Sequence, residues 1–387
     1  MRTRTGSARG RVVAAVAAVG LAAGLVGTAL PARAVNSPQS TLVSADPADF
    51  TPQIMNGAVL AITQIGNKIV VGGTFTTVRQ RLNTADLTRN RIFAFDATTG
   101  AIDPDFNPNL GGAVNSLDSD GTYVYAGGSF GSVGGSTAIR RLARFTADGT
   151  VVAGLPRPNS AVNEVVVRGG RLYFGGAFTS VNPGAVPRAA LAAADTATGA
   201  LLAEVDVPFT GVYDPQIGGG TNVKRFDVSP DGRKLVALGN FDDVGGLTRN
   251  QVAVLDLPVT GPATVAAWAT NRYDAAHNNC AGVFDAFVRD LDISPDGSYF
   301  VISTTGGFGG GARVGAMCDT AARWELSSTG NEPTWIDYTG GDTSYGVAIT
   351  GPAVYLGGHF RWWNNPTQSG QAGPGAVARK GIAALDP

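Results

Sequence analysis

Val70-Val71-Gly72-Gly73-Thr74-Phe75 reads as the end of an apolar strand, then a pair of small residues, then a phenylalanine. The run returns as Tyr125-Ala126-Gly127-Gly128-Ser129-Phe130, as Tyr173-Phe174-Gly175-Gly176-Ala177-Phe178 and as Tyr355-Leu356-Gly357-Gly358-His359-Phe360. Looser copies are Ala237-Leu238-Gly239-Asn240-Phe241 and the segment from Ser303 to Phe308. The phenylalanines stand 55, 48, 63, 67 and 52 residues apart. Such spacing marks a repeat protein, in which each copy is one small unit that buries its apolar face only against its neighbours.

Each landmark sits inside a longer pattern. A β-rich segment precedes it, at 58–65, 113–118, 161–167, 223–228, 288–293 and 345–349. A tight turn joins the two, as in Gly66-Asn67, Asp120-Gly121, Gly169-Gly170, Pro230-Asp231-Gly232 and Pro295-Asp296-Gly297. These residues supply the positive φ or the preset φ that such turns require. A third strand ends at Asp96, Asp195, Asp256 or Asp386, and a second turn follows, as in Asp96-Ala97-Thr98-Thr99-Gly100. A fourth strand closes with proline, as in Phe106-Asn107-Pro108.

Four short antiparallel strands, repeated six times, predict an all-β chain folded as a β-propeller of about six four-stranded blades. A two-sheet sandwich would not return six times to one four-strand order. The last unit runs out after its third strand, at Leu385-Asp386-Pro387. Asp49-Phe50-Thr51-Pro52 matches Asp105-Phe106-Asn107-Pro108 and is therefore a spare fourth strand. It is expected to complete the last blade and so remove the open sheet edges. Were the chain a piece of a longer one, a seventh unit would be expected.

Composition agrees with this architecture. Of the 387 residues, 54 are Gly and only 15% are charged, against about 25% in an average soluble domain. The acids are 26 Asp and 4 Glu, a bias toward turns and away from helix surfaces. Arg2, Arg4, Arg9 and Arg11 precede an uncharged stretch, 12–30, and then Ala32-Arg33-Ala34. That order predicts a secretory signal over 1–34, a linker over 35–48 and the propeller over 49–387. Cleavage would leave 24 bases against 30 acids, a net charge of −6, which speaks against nucleic acid as a partner. No later stretch is apolar enough for membrane insertion. The expectation is a secreted, extracellular monomer.

In a four-stranded blade the second-to-third loops and the blade-to-blade crossings share one face. Nearly every insertion falls there, at 76–91, 209–222, 271–285, 306–322 and 361–379. Insertions gathered on one face point to a binding face. Cys280 and Cys318, the only cysteines, both belong to it and are expected to form a disulfide. Arg361-Trp362-Trp363-Asn364-Asn365 is the candidate binding segment, because paired indoles and amides suit sugar or protein contacts. Adjacent tryptophans of a strand cannot both point into its core.

No cofactor or metal is expected. The two histidines, His277 and His359, lack ligand spacing, and the glycine run 306–311 lacks the Lys and Ser/Thr of a phosphate loop. Asp227 and Asp292 share one repeat position before Ser-Pro-Asp-Gly and are expected to bond backbone NH groups of their own turns rather than calcium. Asp290, Asp342 and His359 are the weak catalytic candidates, should acid and base groups converge on the channel mouth.

The pattern Val-Tyr-x-Gly-Gly-x-Phe, then Arg, then Phe-Asp-x-x-Thr-Gly, resembles the "delta sixty" β-propeller repeat of secreted actinobacterial proteins, and its Gly pair is kelch-like. The resemblance covers about 49–387 and is best in units one to three and six. Units four and five are nearer to propellers with Ser-Pro-Asp-Gly turns. It implies a secreted propeller and carries no catalytic residues. The leading expectation is a binding module for an extracellular protein or glycan. An extracellular lyase or hydrolase with its site at the channel mouth, and a structural envelope or matrix protein, are the alternatives.

Overall fold

Among the described residues six larger antiparallel sheets follow one another along the chain, and each begins with the segment expected to open a blade. The computed structural model describes residues 41–387 other than 45, 47, 82–83, 183–185, 279, 281–283, 307–313, 331 and 368–369. The expected signal, most of the linker, Phe308 and most of the glycine run lie outside the described residues. Those described belong to one unit, Ala32–Pro387.

The first sheet is Val59–Ile65, Lys68–Gly73 and Ile92–Asp96. The second is Val114–Ser119, Tyr123–Gly128, Leu142–Thr146 and Val151–Val152. The third is Val162–Arg168, Arg171–Gly176 and Leu191–Asp195. The fourth is Asn222–Val228, Lys234–Asn240, Val252–Asp256 and Thr264–Val265. The fifth is Val288–Ile293, Tyr299–Thr304, Thr320–Glu325 and Trp335–Tyr338. The sixth is Ser344–Ile349, Val354–Gly358 and Ile382–Leu385. In the first and third sheets a fourth strand is reduced to single bridges, Phe95 to Ile102 and Ala194 to Leu201.

The turns work as their residues require. The Asp96 carboxylate accepts the NH groups of Thr98 and Thr99 at 2.9 and 2.7 Å, and Asp195 does the same for Ala197 and Thr198 at 3.1 and 2.7 Å. The glycine pair answers two close approaches. A side chain at Gly72 would stand 2.5 Å from Val114 of the next sheet, and one at Gly73 would strike the Ala58 carbonyl. Neighbouring sheets therefore pack face to face, with Val70, Ile92, Val114, Leu117 and Val124 in one such core.

The long loops carry a second tier of small sheets on the expected face. Thr77–Arg79 pairs with Asp86–Thr88, Ser180–Val181 with Val186–Pro187, Asp243–Val244 with Leu247–Thr248, and Trp362–Trp363 with Val377–Ala378. Cys280 and Cys318 are joined, with Cα atoms 5.7 Å apart, and pin two of these loops as expected.

The N-terminal segment departs from expectation. Gln53–Ile54 pairs with Thr77–Arg79 of the first sheet's own loop. Among the described residues no ladder joins 49–52 to the sixth sheet. The chain runs instead toward the first sheet, where a side chain at Gly100 would meet the Phe50 ring at 2.9 Å.

Candidate functional site

The first strands of all six sheets line one central channel with a cavity of about 300 Å³. Each of these strands carries a bulge at the same place, between Val59 and Ala61, Val114 and Ser116, Val162 and Glu164, Val223 and Arg225, Val288 and Asp290, and Ser344 and Gly346. A bulge leaves one residue outside the ladder and re-aims it. Here that residue is Leu60, Asn115, Asn163, Lys224, Arg289 or Tyr345. The bulges lie opposite the second glycine of each pair or its substitute, just before the second-tier loops, and Leu60, Asn115 and Tyr345 among the bulged residues line the cavity.

Next to the bulges the channel is lined by Ala61, Ser116, Glu164, Arg225, Asp290 and Gly346, one from each sheet. Arg225 reaches Glu164 at 3.4 Å and Asp290 at 3.6 Å. Ser116 Oγ donates to Glu164 Oε1 at 2.5 Å and accepts the Val165 NH at 3.0 Å. The Val347 NH donates to Asp290 Oδ2 at 2.8 Å. Burial pushes the Glu164 carboxyl up to about 7, against the opposing pull of Arg225 and Ser116. Burial likewise lifts Asp290 to about 6, with Arg225 opposing. Burial also opposes the charge on Arg225, but Glu164 and Asp290 outweigh it. The ring thus holds one fixed cation between two carboxyls that take up protons near neutrality.

A further layer contains Asp118, Asp227 and Asp292. Each reaches across to the next sheet: Asp118 to the Val167 NH at 2.6 Å, Asp227 to the Ile293 NH at 3.1 Å and Asp292 to the Ile349 NH at 2.6 Å. This corrects the expectation that Asp227 and Asp292 serve their own turns. The turn donors are taken by Ser229 with Asp231 and by Ser294 with Asp296. The adjacent Val228 NH, at 2.7 Å, ties Asp227 to its own strand. Burial, then the neighbouring Asp227, push Asp292 well above the ordinary range. Burial raises Asp118 to about 6.

The catalytic candidates do not form one cluster. Asp290 sits in the channel. His359 is exposed at the mouth, its ring 5.7 Å from that of Tyr345. Asp342 takes a two-pronged contact from Arg361, at 2.9 and 3.1 Å, in the outer tier. Among the described residues no group of three or more His, Cys, Asp or Glu is arranged to hold a metal.

The tryptophan segment is divided between inside and outside. Trp363 is buried against Phe360, with ring centroids 5.0 Å apart. It occupies the place held by Val78, Val133, Val181 and Val244, each buried three residues after its phenylalanine. Asn365 is buried too, and its amide bonds Gln371 O and the Gly373 NH at 2.8 and 2.9 Å. Arg361 and Asn364 are exposed and Trp362 is half-buried. Asn364 adopts φ 52° and gives its NH to Asp337 at 2.8 Å. Sequence reading missed Ser116, Glu164 and Arg225. The signal was present, since each pairs with the first glycine of its unit or with Leu238, which stands in that place.

A family model described as "Domain of unknown function (DUF5122) beta-propeller" matches residues 119–151. The chain is a β-propeller. The matched stretch runs from the end of the second sheet's first strand to its fourth. Among solved structures, the propeller is similar to the computationally designed Ika8 protein, with 14% identity and TM-score 0.47 over 84% of this chain and 77% of that one. It is also similar to the Cps50 (Swd1) β-propeller domain of Myceliophteria thermophila, with 10% identity and TM-score 0.46 over 78% and 80% of the two chains. Kuenenia stuttgartiensis hydrazine synthase is a third such structure, with 13% identity and TM-score 0.42 over 82% and 78%. No curated protein matches the chain.

Proposed function

We propose that this propeller is exported and acts as a binding module, holding a group of an extracellular protein or glycan at the channel mouth on its long-loop face. The observation that carries this reading is the set of bulges, one in the first strand of each sheet, of which Leu60, Asn115 and Tyr345 line the one cavity. Tyr345 is 55% exposed there, beside His359 and above the Glu164–Arg225–Asp290 set. An aromatic face next to a few convergent polar groups is the usual make-up of a site for a sugar ring or a peptide side chain. The exposed Arg361 and Asn364 would belong to the rim.

The test is capture of ligands from culture fluid and cell wall by the mature chain, followed by titration with variants. Tyr345→Ala and Arg289→Ala are expected to weaken binding by about tenfold or more, the range of an interface anchor. Unchanged affinity in both would remove the mouth from this account.

A second reading, an extracellular hydrolase or lyase, is favoured by Glu164 alone, a carboxyl held near 7 inside a channel. It requires activity that follows a single titration between about pH 6 and 7 and disappears in Glu164→Gln.

A further inference from the structure

The sixth sheet does not pack on the first as every other sheet packs on its neighbour. The first strands lie side by side from the first sheet through to the sixth, and no comparable packing joins Ser344–Ile349 back to Val59–Ile65. Both sides of that seam carry apolar side chains that are buried everywhere else. Val59 is 40% exposed, whereas Val114, Val162, Val223 and Val288, at the same repeat position, are fully buried at 0%. Ile62 is 58% exposed, and its counterparts Leu117, Val165, Phe226 and Leu291 are at most 6%. Across the seam Ile382 is 66% exposed, against 2% or less for Ile92, Leu142, Leu191, Val252 and Ala321.

The glycines show the same break. A side chain on Gly72, Gly127 or Gly175 would collide with the valine of the following sheet at 2.5, 2.6 or 2.9 Å, while one on Gly357 would meet nothing within 4 Å. The two exposed faces are the two halves of one kind of interface, a glycine-bearing rear and a valine-bearing front. They stand apart rather than together. A single object that presents a front to Gly357 and Ile382 and a rear to Val59 and Ile62 would satisfy both, and each sheet of this propeller is such an object.

The N-terminal segment identifies the place further. Phe106 follows the first sheet's bridged outer residue, Ile102, and packs at the second sheet's Gly149, where a side chain would approach the Phe106 ring at 3.3 Å. Phe50 takes the same place at Gly100 of the first sheet. It therefore ends the outer strand of a sheet that precedes the first around the ring. On the other side, the Val43 NH reaches the Tyr355 hydroxyl of the sixth sheet at 3.0 Å, so the segment spans the seam.

We infer that the seam is the seat of a seventh blade: one further copy of the repeat, carried on the same polypeptide after the sixth, with residues 49–52 as its outermost strand. Its first strand would bring an apolar β-branched residue to Gly357. Its second would bring a small residue to Val59.

Paired cysteines test this. Val59→Cys and Gly357→Cys would touch in a ring closed by six sheets, as Val114 and Gly72 do in the first-to-second interface. In the 387-residue chain the two introduced thiols are expected to stay apart under oxidation and to react freely with a maleimide. Appending a copy of residues 100–146 after Pro387 is expected to slow that labelling by more than about tenfold, because labelling then requires local opening. Rapid disulfide formation within the monomer would overturn the inference, since six sheets would then close the ring. Undiminished labelling of the extended chain would overturn it also. Protection that appears in the unextended chain only as it dimerises would assign the seat to a second copy instead. Single Ile382→Cys and Leu142→Cys variants, expected to be reactive and unreactive respectively, give the same reading without the extension; two unreactive thiols would reject it.

Discussion

Asp118, Asp227 and Asp292 hold one repeat position, and each accepts a backbone NH from the following sheet. Removing the carboxylate leaves that NH buried without its partner, a loss of about 1–3 kcal/mol. Asp118→Ala is expected to lower the unfolding free energy by that amount, read as a lower denaturant midpoint with an unchanged m-value. The channel carboxyls also set a pH dependence. Glu164 lies near 7 against an ordinary 4.5, and Asp290 and Asp118 lie near 6 against 3.8. A raised carboxyl stabilises the fold fully below its ordinary value and loses that contribution as pH rises through the folded value. Stability should therefore fall between about pH 4 and 7. The turn carboxylates Asp96, Asp148, Asp195, Asp231 and Asp296 are held low by hydrogen bonds from their own turns. Their contribution disappears only on further acidification. A melting series should peak near pH 4–5, and Glu164→Gln should flatten its neutral limb.

At the scale of the strand and its loop, the two tryptophans part company. Trp363 fills a place that four other units give to valine, and packs on the repeated phenylalanine of its own unit, Phe360. Trp363→Ala is expected to destabilise by about 3–5 kcal/mol, the range for an emptied aromatic core site. Asn364→Gly should change stability by no more than about 0.5 kcal/mol, because its left-handed φ suits glycine. Thermal melts of the two variants check both figures. The strands themselves were legible in the sequence, because glycine pairs and turn residues punctuate them at fixed offsets. The inward turn of Trp363 was legible as well, through the Phe-x-x-Val spacing of Phe75 to Val78 and Phe178 to Val181. The chemistry of that side chain distracted from its position. Ser116, Glu164 and Arg225 escaped notice for the opposite reason: they differ in type, and only their register against the glycine pair unites them.

For the whole molecule, the ring of sheets followed from the period, but its seam did not. Sequence places Val59, Ile62 and Ile382 on buried faces by analogy with every other unit. Only the geometry between the first and sixth sheets leaves them bare. A seam also gives the ring two ends. Native-state hydrogen exchange on the 387-residue chain should be fastest at the edges of the first and sixth sheets and slowest in the third and fourth, because edge units have one neighbour and central ones two. Uniform exchange around the ring would contradict this.

The aspartate reach from one sheet to the next also has a direction. Each carboxylate belongs to the earlier sheet and each NH to the later one. A load applied at the C-terminal end would draw the sixth sheet off the fifth and break the Asp292 contact first, then the fifth off the fourth and the Asp227 contact. Pulled from that end, the propeller is expected to yield one blade at a time, and its extension trace should show steps rather than a single rupture.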